Sequence, residues 1–128
     1  MSAKMEGCRV ARYHATVKGR LQHLMCGVRQ RCKQSNIECD IDRDYLLEVY
    51  EEQNGRCVLS GKEFDLRSRI GGRTYASPWG LSIDKVDPHQ GYVKGNVRLI
   101  CTMANVCKGR WSDTEVMEFC QSVMENKV

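Results

Sequence analysis

The chain has 128 residues, a formal net charge of +4 at pH 7 and eight cysteines. That length suits one domain with a modest core. It holds no apolar run long enough for a transmembrane helix, and Met1 to Val10 is too polar for a signal peptide, so we expect a cytosolic protein whose cysteines are mostly reduced and packed rather than a disulfide framework.

Charge falls in blocks. Residues 1–34 balance to +7, 35–54 to −6, 55–110 to +6 and 111–128 to −3. Two basic blocks suit a phosphate backbone, and solvated faces are the plainer alternative. For the first block nucleic-acid contact is favoured, because its imbalance is large. Residues 1–16 read as a basic N-terminal arm, extended or frayed over Met1 to Arg12. Residues 17–128 then form a single domain. Val17 to Lys33 reads as a helix with Leu21, Leu24, Met25, Val28 and Cys32 on one face. Gly19 and Gly27 weaken it. Lys18, Arg20, Arg29, Arg31 and Lys33 lie largely off that face. His14 and His23 read as surface or packing histidines.

Ser35 to Asp40 is a short connection. Asp42 is placed to cap a second helix, with Asp44 in its first turn. Leu46, Leu47, Val49 and Tyr50 form its apolar stripe, and Asn54-Gly55 stops it. This acidic helix reads as structural. Phe64, Leu66, Ile70 and Trp79 are available for burial. Arg67 to Gly80 carries loop punctuation. Its Arg67, Arg69 and Arg73, with Tyr75 and Trp79 nearby, either contact a phosphate backbone or belong to an ordinary solvated connection.

Leu81 to Val86 alternates as a half-buried strand does. Asp87-Pro88, Gly91 and Gly95 break the chain into a loop, and the glycines are expected to supply its turns. Val97 to Ile100 reads as a second strand and Thr102 to Lys108 as a short helix. A hairpin packed on that helix brings Asp84 and Asn105 together. Their oxygens suit magnesium or manganese, although a turn carboxylate and a capping amide explain either residue alone. Ser112 to Glu115 is a capping-box pattern. The stripe of Val116, Met117, Phe119, Cys120, Val123 and Met124 that follows is expected to be core.

The segment L-S-I-D-K-V-D-P-H-Q-G-Y-V-K-G-N-V-R-L-I-C-T-M-A-N-V-C-K, residues 81–108, resembles the ββα-metal finger of the HNH endonuclease family. It is similar to a phage-type branch that reads S-L-D-R-I-D-x-x-x-G-Y-x-x-G-N-V-x-x-V. Residues 45–61 are also similar to that branch, in which an equivalent helix leads into Gln-x-x-x-Cys-x-x-Thr-Gly. The likeness spans roughly residues 17–125. It implies an α+β fold, a ββα-metal core flanked by helices. It implies metal ligation by Asp84 and Asn105, with Asn96 in the place of the central Asn that ties the loop to the strand, and Pro88 at a common proline position.

Lys85 stands where the family has its general-base histidine. A lysine is protonated at neutral pH unless desolvated or set beside positive charge. It is read first as a phosphate contact and second as a base, with His89 as reserve base. The family's two zinc knuckles are reduced here to C-V-L-S and C-T-M-A. Cys57 and Cys101 remain, with Cys107 the candidate third donor, so structural zinc is disfavoured against packed thiols.

The resemblance thus implies a magnesium- or manganese-dependent DNA endonuclease or nickase, phage-encoded and acting in the bacterial cytoplasm, with no membrane partner. Catalytic candidates are Asp84, Lys85, His89, Asn96 and Asn105. Candidate backbone contacts are Arg67, Arg69, Arg73, Lys94, Arg98, Lys108 and Arg110. The alternative is a finger that has lost catalysis and binds nucleic acid or a host protein as a regulator.

Overall fold

A computed structural model describes residues 2–66 and 77–127, with side chains from residue 17 onward. Helix α1 runs Ser2–Ser35, α2 Arg43–Glu52, α3 Thr102–Lys108 and α4 Asp113–Glu125, and strands β1 Leu81–Lys85 and β2 Val97–Cys101 pair between α2 and α3. The fold is α+β, as the sequence implies. Arg67, Arg69, Arg73, Ile70 and Tyr75 lie outside the described residues.

The helix expected from Val17 begins far earlier. Residues 2–16 continue the α1 backbone instead of forming an extended arm. The stretch lacks proline, and a helix anchored downstream extends at one hydrogen bond per added residue without a second nucleation cost. Val17, Leu21, Met25, Val28 and Cys32 are buried, so the apolar face is where the spacing puts it. The helix ends at Asn36, in the left-handed region at φ 53°. There the Ile37 N–H returns to the Cys32 carbonyl at 2.9 Å, which closes an open end of α1.

Helix α2 starts as expected, with the Tyr45 N–H donating to Asp42 Oδ1 at 2.8 Å. It stops at Asn54 and Gly55, both at positive φ. Its Leu46, Val49 and Tyr50 join Val17, Leu21, Met25 and Val28 in one core with Leu81, Ile83 and Leu99 of the hairpin. Phe64 stacks beside Tyr50 with ring centroids 6.2 Å apart. Trp79, expected inside, is 40% exposed and carries Lys62 Nζ over its ring instead.

The strands are antiparallel, from Leu81 opposite Cys101 to Lys85 opposite Val97. Asp84 therefore faces Arg98 directly, the closest cross-strand relation a sheet offers. Ser82 and Asp84 share one strand face, and both meet α3 through Asn105 and Lys108.

Gly95 has a positive φ of 88°, as a turn glycine should. Gly91 has a different reason to be glycine. A Cβ there would lie 2.3 Å from the Glu38 carbonyl oxygen, because the Ile37–Asp40 connection passes directly over the loop. The Tyr92 N–H donates to the Glu38 carbonyl at 2.9 Å, and the Asp40 N–H returns to the Tyr92 carbonyl at 3.1 Å.

Helix α4 corrects a second expectation. Its capping box forms between Ser112 and Glu115, but none of its residues is buried. Phe119 is 60% and Met124 82% exposed. Among the described elements its backbone lies only against α3, and Arg98 of β2 reaches its first residue, Asp113. The stripe gave α4 an apolar face and no information about what covers it.

Candidate functional site

Within the finger, one side chain ties the loop to the second strand. Asn96 Oδ1 accepts from the Asp87 N–H at 2.9 Å, and its Nδ2 donates to the carbonyls of Asp87 at 3.1 Å and Gly91 at 2.8 Å. Asn96 is buried. It thus fixes where β1 ends and where Pro88 to Gly91 run.

Asp84 and Asn105 do meet at one hollow, of about 310 Å³, which Arg31, Lys85, Tyr92 and Lys108 also line. Asn105 donates through Nδ2 to Ser82 Oγ at 3.2 Å and to the Ile83 carbonyl at 3.3 Å. That orientation spends its nitrogen on the strand and leaves the amide oxygen as the group it can offer a ligand.

Asp84 is buried and its Oδ2 is already engaged. Arg98 Nε lies 2.9 Å from it and Lys108 Nζ 2.8 Å. Neither cation closes on Oδ1. Lys108 Nζ also donates to the Lys85 carbonyl at 3.1 Å, and the Lys108 side chain is only 5% exposed. Arg98 forks onto Asp113 at 2.8 and 2.7 Å. Hydrogen bonding to Asp113 raises the guanidinium's pKa against the opposing effect of burial, with Asp84 adding to the rise. The Asp113 carboxyl is held below its ordinary value chiefly by its hydrogen bond from Arg98. Arg98 and Lys108, read from sequence as backbone contacts, are turned inward onto carboxylates.

The donor set has the chemistry of a hard-cation site, since a carboxylate and an amide oxygen come from adjacent elements onto one hollow. Among the described residues no group of three or more His, Cys, Asp or Glu side chains is placed to hold a metal. A divalent ion here would rest on Asp84 and Asn105, with water or phosphate oxygens completing its shell.

Lys85 Nζ lies 3.4 Å from the Pro88 carbonyl and 5.2 Å from the Tyr92 ring centroid. The guanidinium of Arg31 sits over the same ring at 5.9 Å. Tyr92 thereby steadies a lysine from β1 and an arginine from α1 at one opening. Arg31 was legible in the sequence only as a charge off the apolar face. His89 is exposed and lines a neighbouring hollow with Lys85 and Pro88, away from Asp84 and Asn105. His23 borders a further hollow that includes Arg31, Ser82 and Asn105. Lys94 and Arg110 are exposed, and each lies over an aromatic ring, Tyr45 and Trp111.

The reduced knuckle is closed without a second pair of cysteines. Cys57 Sγ accepts from the Ser60 N–H at 3.4 Å and the Cys101 N–H at 3.3 Å. Burial pushes the Cys57 thiol up, and hydrogen bonds from Ser60, Cys101 and Leu59 outweigh it, so its pKa ends below the usual value. Burial pushes Cys101 up. Cys107 is exposed and lines another hollow with Trp111 and Phe119. Cys26 and Cys120 are exposed as well, so the expectation of packed thiols holds for Cys32, Cys57 and Cys101 and fails for these. Gln53, given no role by the sequence, bridges the knuckle to β2. It donates to the carbonyls of Arg56 and Leu99 at 2.8 Å and accepts from the Leu99 N–H at 3.0 Å.

The site is a two-stranded hairpin packed on a short helix, with Asp84 on the first strand and Asn105 on the helix. Comparison with solved structures finds a similar fold. The chain superposes on the rare-cutting HNH restriction endonuclease PacI with a TM-score of 0.58 at 20% identity, covering 79% of this chain and 74% of that one. Among curated proteins it is 28% identical over 102 residues to the uncharacterized 29.0 kDa protein of the dda-modA intergenic region of Enterobacteria phage T4. The match takes in 80% of this chain but spans only 36% of that relative's length. No family model matches the chain. Among the described residues no helix is long and apolar enough to cross a membrane.

Proposed function

We propose that the chain is an HNH-like DNA endonuclease or nickase, encoded by a bacteriophage and acting in the host cytoplasm. The observation that carries this is the meeting of Asp84 and Asn105 at one hollow whose rim bears Lys85 and Arg31. In this reading a phosphodiester enters the hollow with its oxygens toward Lys85 and Arg31, whose charges a polyanion needs. Asp84 and Asn105 would hold a magnesium or manganese ion, and the chemistry it would supply there is charge stabilisation at phosphorus. Asn96 keeps the loop, and so Lys85, in place. Lys85 contacts phosphate in preference to acting as base, and His89 faces a different hollow. Lys94, Arg110 and the arginines at 67, 69 and 73 extend the backbone contact. The phage relative supports the phage origin.

A second reading is favoured by two ion pairs and by the residue at the base position. Lys108 and Arg98 already neutralise Asp84, and a lysine stands at the base position. Such a finger would bind nucleic acid or a host protein without cutting.

The test is cleavage of supercoiled plasmid with magnesium and with manganese, comparing wild type with Asn105→Ala, Asp84→Asn and Lys85→Ala. Asp84→Asn is used because it removes the carboxylate charge yet keeps the side-chain volume and an acceptor oxygen for Arg98 and Lys108, which alanine would not. Metal-dependent nicking that the Asn105 and Asp84 variants lose supports the enzyme. Retarded DNA with no cutting of duplex, single-stranded or branched substrate moves the conclusion to the binding module.

A further inference from the structure

Lys108 has an unusual placement among the described residues. It is a lysine with a side chain 5% exposed, at the last turn of α3, with its ammonium 2.8 Å from the buried carboxylate of Asp84. Lysines are rarely buried unless paired. Asn105 is one helical turn earlier on the same face, so the amide oxygen and the ammonium border the same hollow. The ammonium also stands 3.9 Å from Asp113 Oδ1. Asp84 and Asp113 thus face Arg98 and Lys108, two carboxylates against two cations, and the cluster is neutral before any ion arrives.

We infer that Lys108 is the resident cation of the candidate centre, and that a divalent ion and a phosphate must enter together to compete with it. This rests on the nuclease reading only for the identity of the ligands. A divalent ion approaching Asp84 alone meets the fixed positive charge of Lys108 and a carboxylate oxygen already shared by two donors. Its affinity in the DNA-free protein is therefore low. A phosphodiester in the hollow brings negative oxygens beside Lys108, Lys85 and Arg31. With that charge offset, the ion binds more tightly. By linkage the ion then strengthens DNA binding by the same factor.

The test measures Mn2+ binding by electron paramagnetic resonance of the free ion. Wild type is compared with Lys108→Met, which removes the charge and keeps the stem, with and without a short duplex. Lys108→Gln is run beside it, and circular dichroism melts establish that each is folded. The expected result is Mn2+ affinity about ten- to a hundred-fold higher in the variants without DNA, the scale seen when groups around metal ligands are changed. Wild type should tighten on adding the duplex, and the variants much less. The inference is overturned if a folded variant binds Mn2+ no better than wild type, or if no form binds Mn2+ with or without DNA. Should both variants fold poorly, the wild-type comparison decides, and equal Mn2+ affinity with and without duplex overturns it. The two readings separate cleanly. Variants that gain Mn2+ while no protein nicks plasmid leave the resident cation standing and remove the nuclease. Wild-type nicking with Mn2+ affinity indifferent to position 108 does the reverse.

Discussion

Arg98 shows what the site asks of single residues. Its guanidinium spans Asp84 on its own hairpin and Asp113 at the start of α4, so one side chain joins the finger to the last helix. Because Asp113 is held below its ordinary carboxylate pKa by Arg98, this pair contributes stability above the unfolded value near 3.8, and loses it as pH falls through the lower folded value. Asp113 is 43% exposed, so solvent screening limits the contribution to at most about 1 kcal/mol. Asp113→Asn should therefore lower the urea midpoint at pH 7 and flatten its decline between neutral pH and pH 3. Urea melts at both pH values check this, and an unchanged pH 7 midpoint rules the contribution out. From sequence, Asp84 and Asn105 were legible because their types and spacing match a finger. Arg98 looked like a phosphate contact because a basic residue on a strand does not reveal the carboxylates around it. Asp113 sits fifteen positions on and joins Arg98 only after α3 has turned the chain back.

At the scale of elements, the finger stands because separate segments press on its loop. The Ile37–Asp40 connection bonds to Tyr92 on either side, Asp40 Oδ1 accepts from the Lys94 N–H at 2.8 Å, and the Tyr45 hydroxyl accepts from the Gly95 N–H at 2.9 Å. The acidic block around α2 is thus spent partly on holding the loop. Gly91→Ala forces its methyl into the Glu38 carbonyl, which is backbone and cannot swing aside. We expect a loss of about 1–3 kcal/mol, as for overpacking elsewhere. Denaturant melts check it, and a change below about 0.5 kcal/mol would mean the two segments part easily. Gly95→Ala tests turn strain instead, since its Cβ meets open space. Helices α2, α3 and α4 and both strands were readable from caps, breakers and period. The start of α1 was not, because no breaker separates residues 2–16 from the packed turns and a polar composition alone does not stop a helix.

For the whole molecule, the core lies between α1, α2 and the hairpin, and α4 stands outside it. Leu99 is fully buried and Phe119 is 60% exposed, although both fall on apolar positions of regular elements. Leu99→Ala should cost about 2–5 kcal/mol and Phe119→Ala less than about 0.5 kcal/mol. Paired urea melts check this contrast, and a large loss at Phe119 would show that α4 is covered in solution.

What the sequence determined by itself is what local chemistry controls. Caps at Asp42 and Ser112, the breaks at Asn54-Gly55 and Asp87-Pro88, the period of each element and the Asp84–Asn105 spacing all depend on near neighbours along the chain. Together they marked out the elements, while the fold class was implied by the resemblance carried on residues 45–61 and 81–108. The tertiary structure alone decided which charges face inward, which apolar stripe is covered and why Gly91 lacks a side chain. Each of these depends on a partner remote in sequence: Asp84 on Lys108, the knuckle thiol on the Cys101 amide, Gly91 on Glu38. Burial and Coulomb energy depend on distance in space, and a linear pattern carries that distance only within a turn or a strand pair.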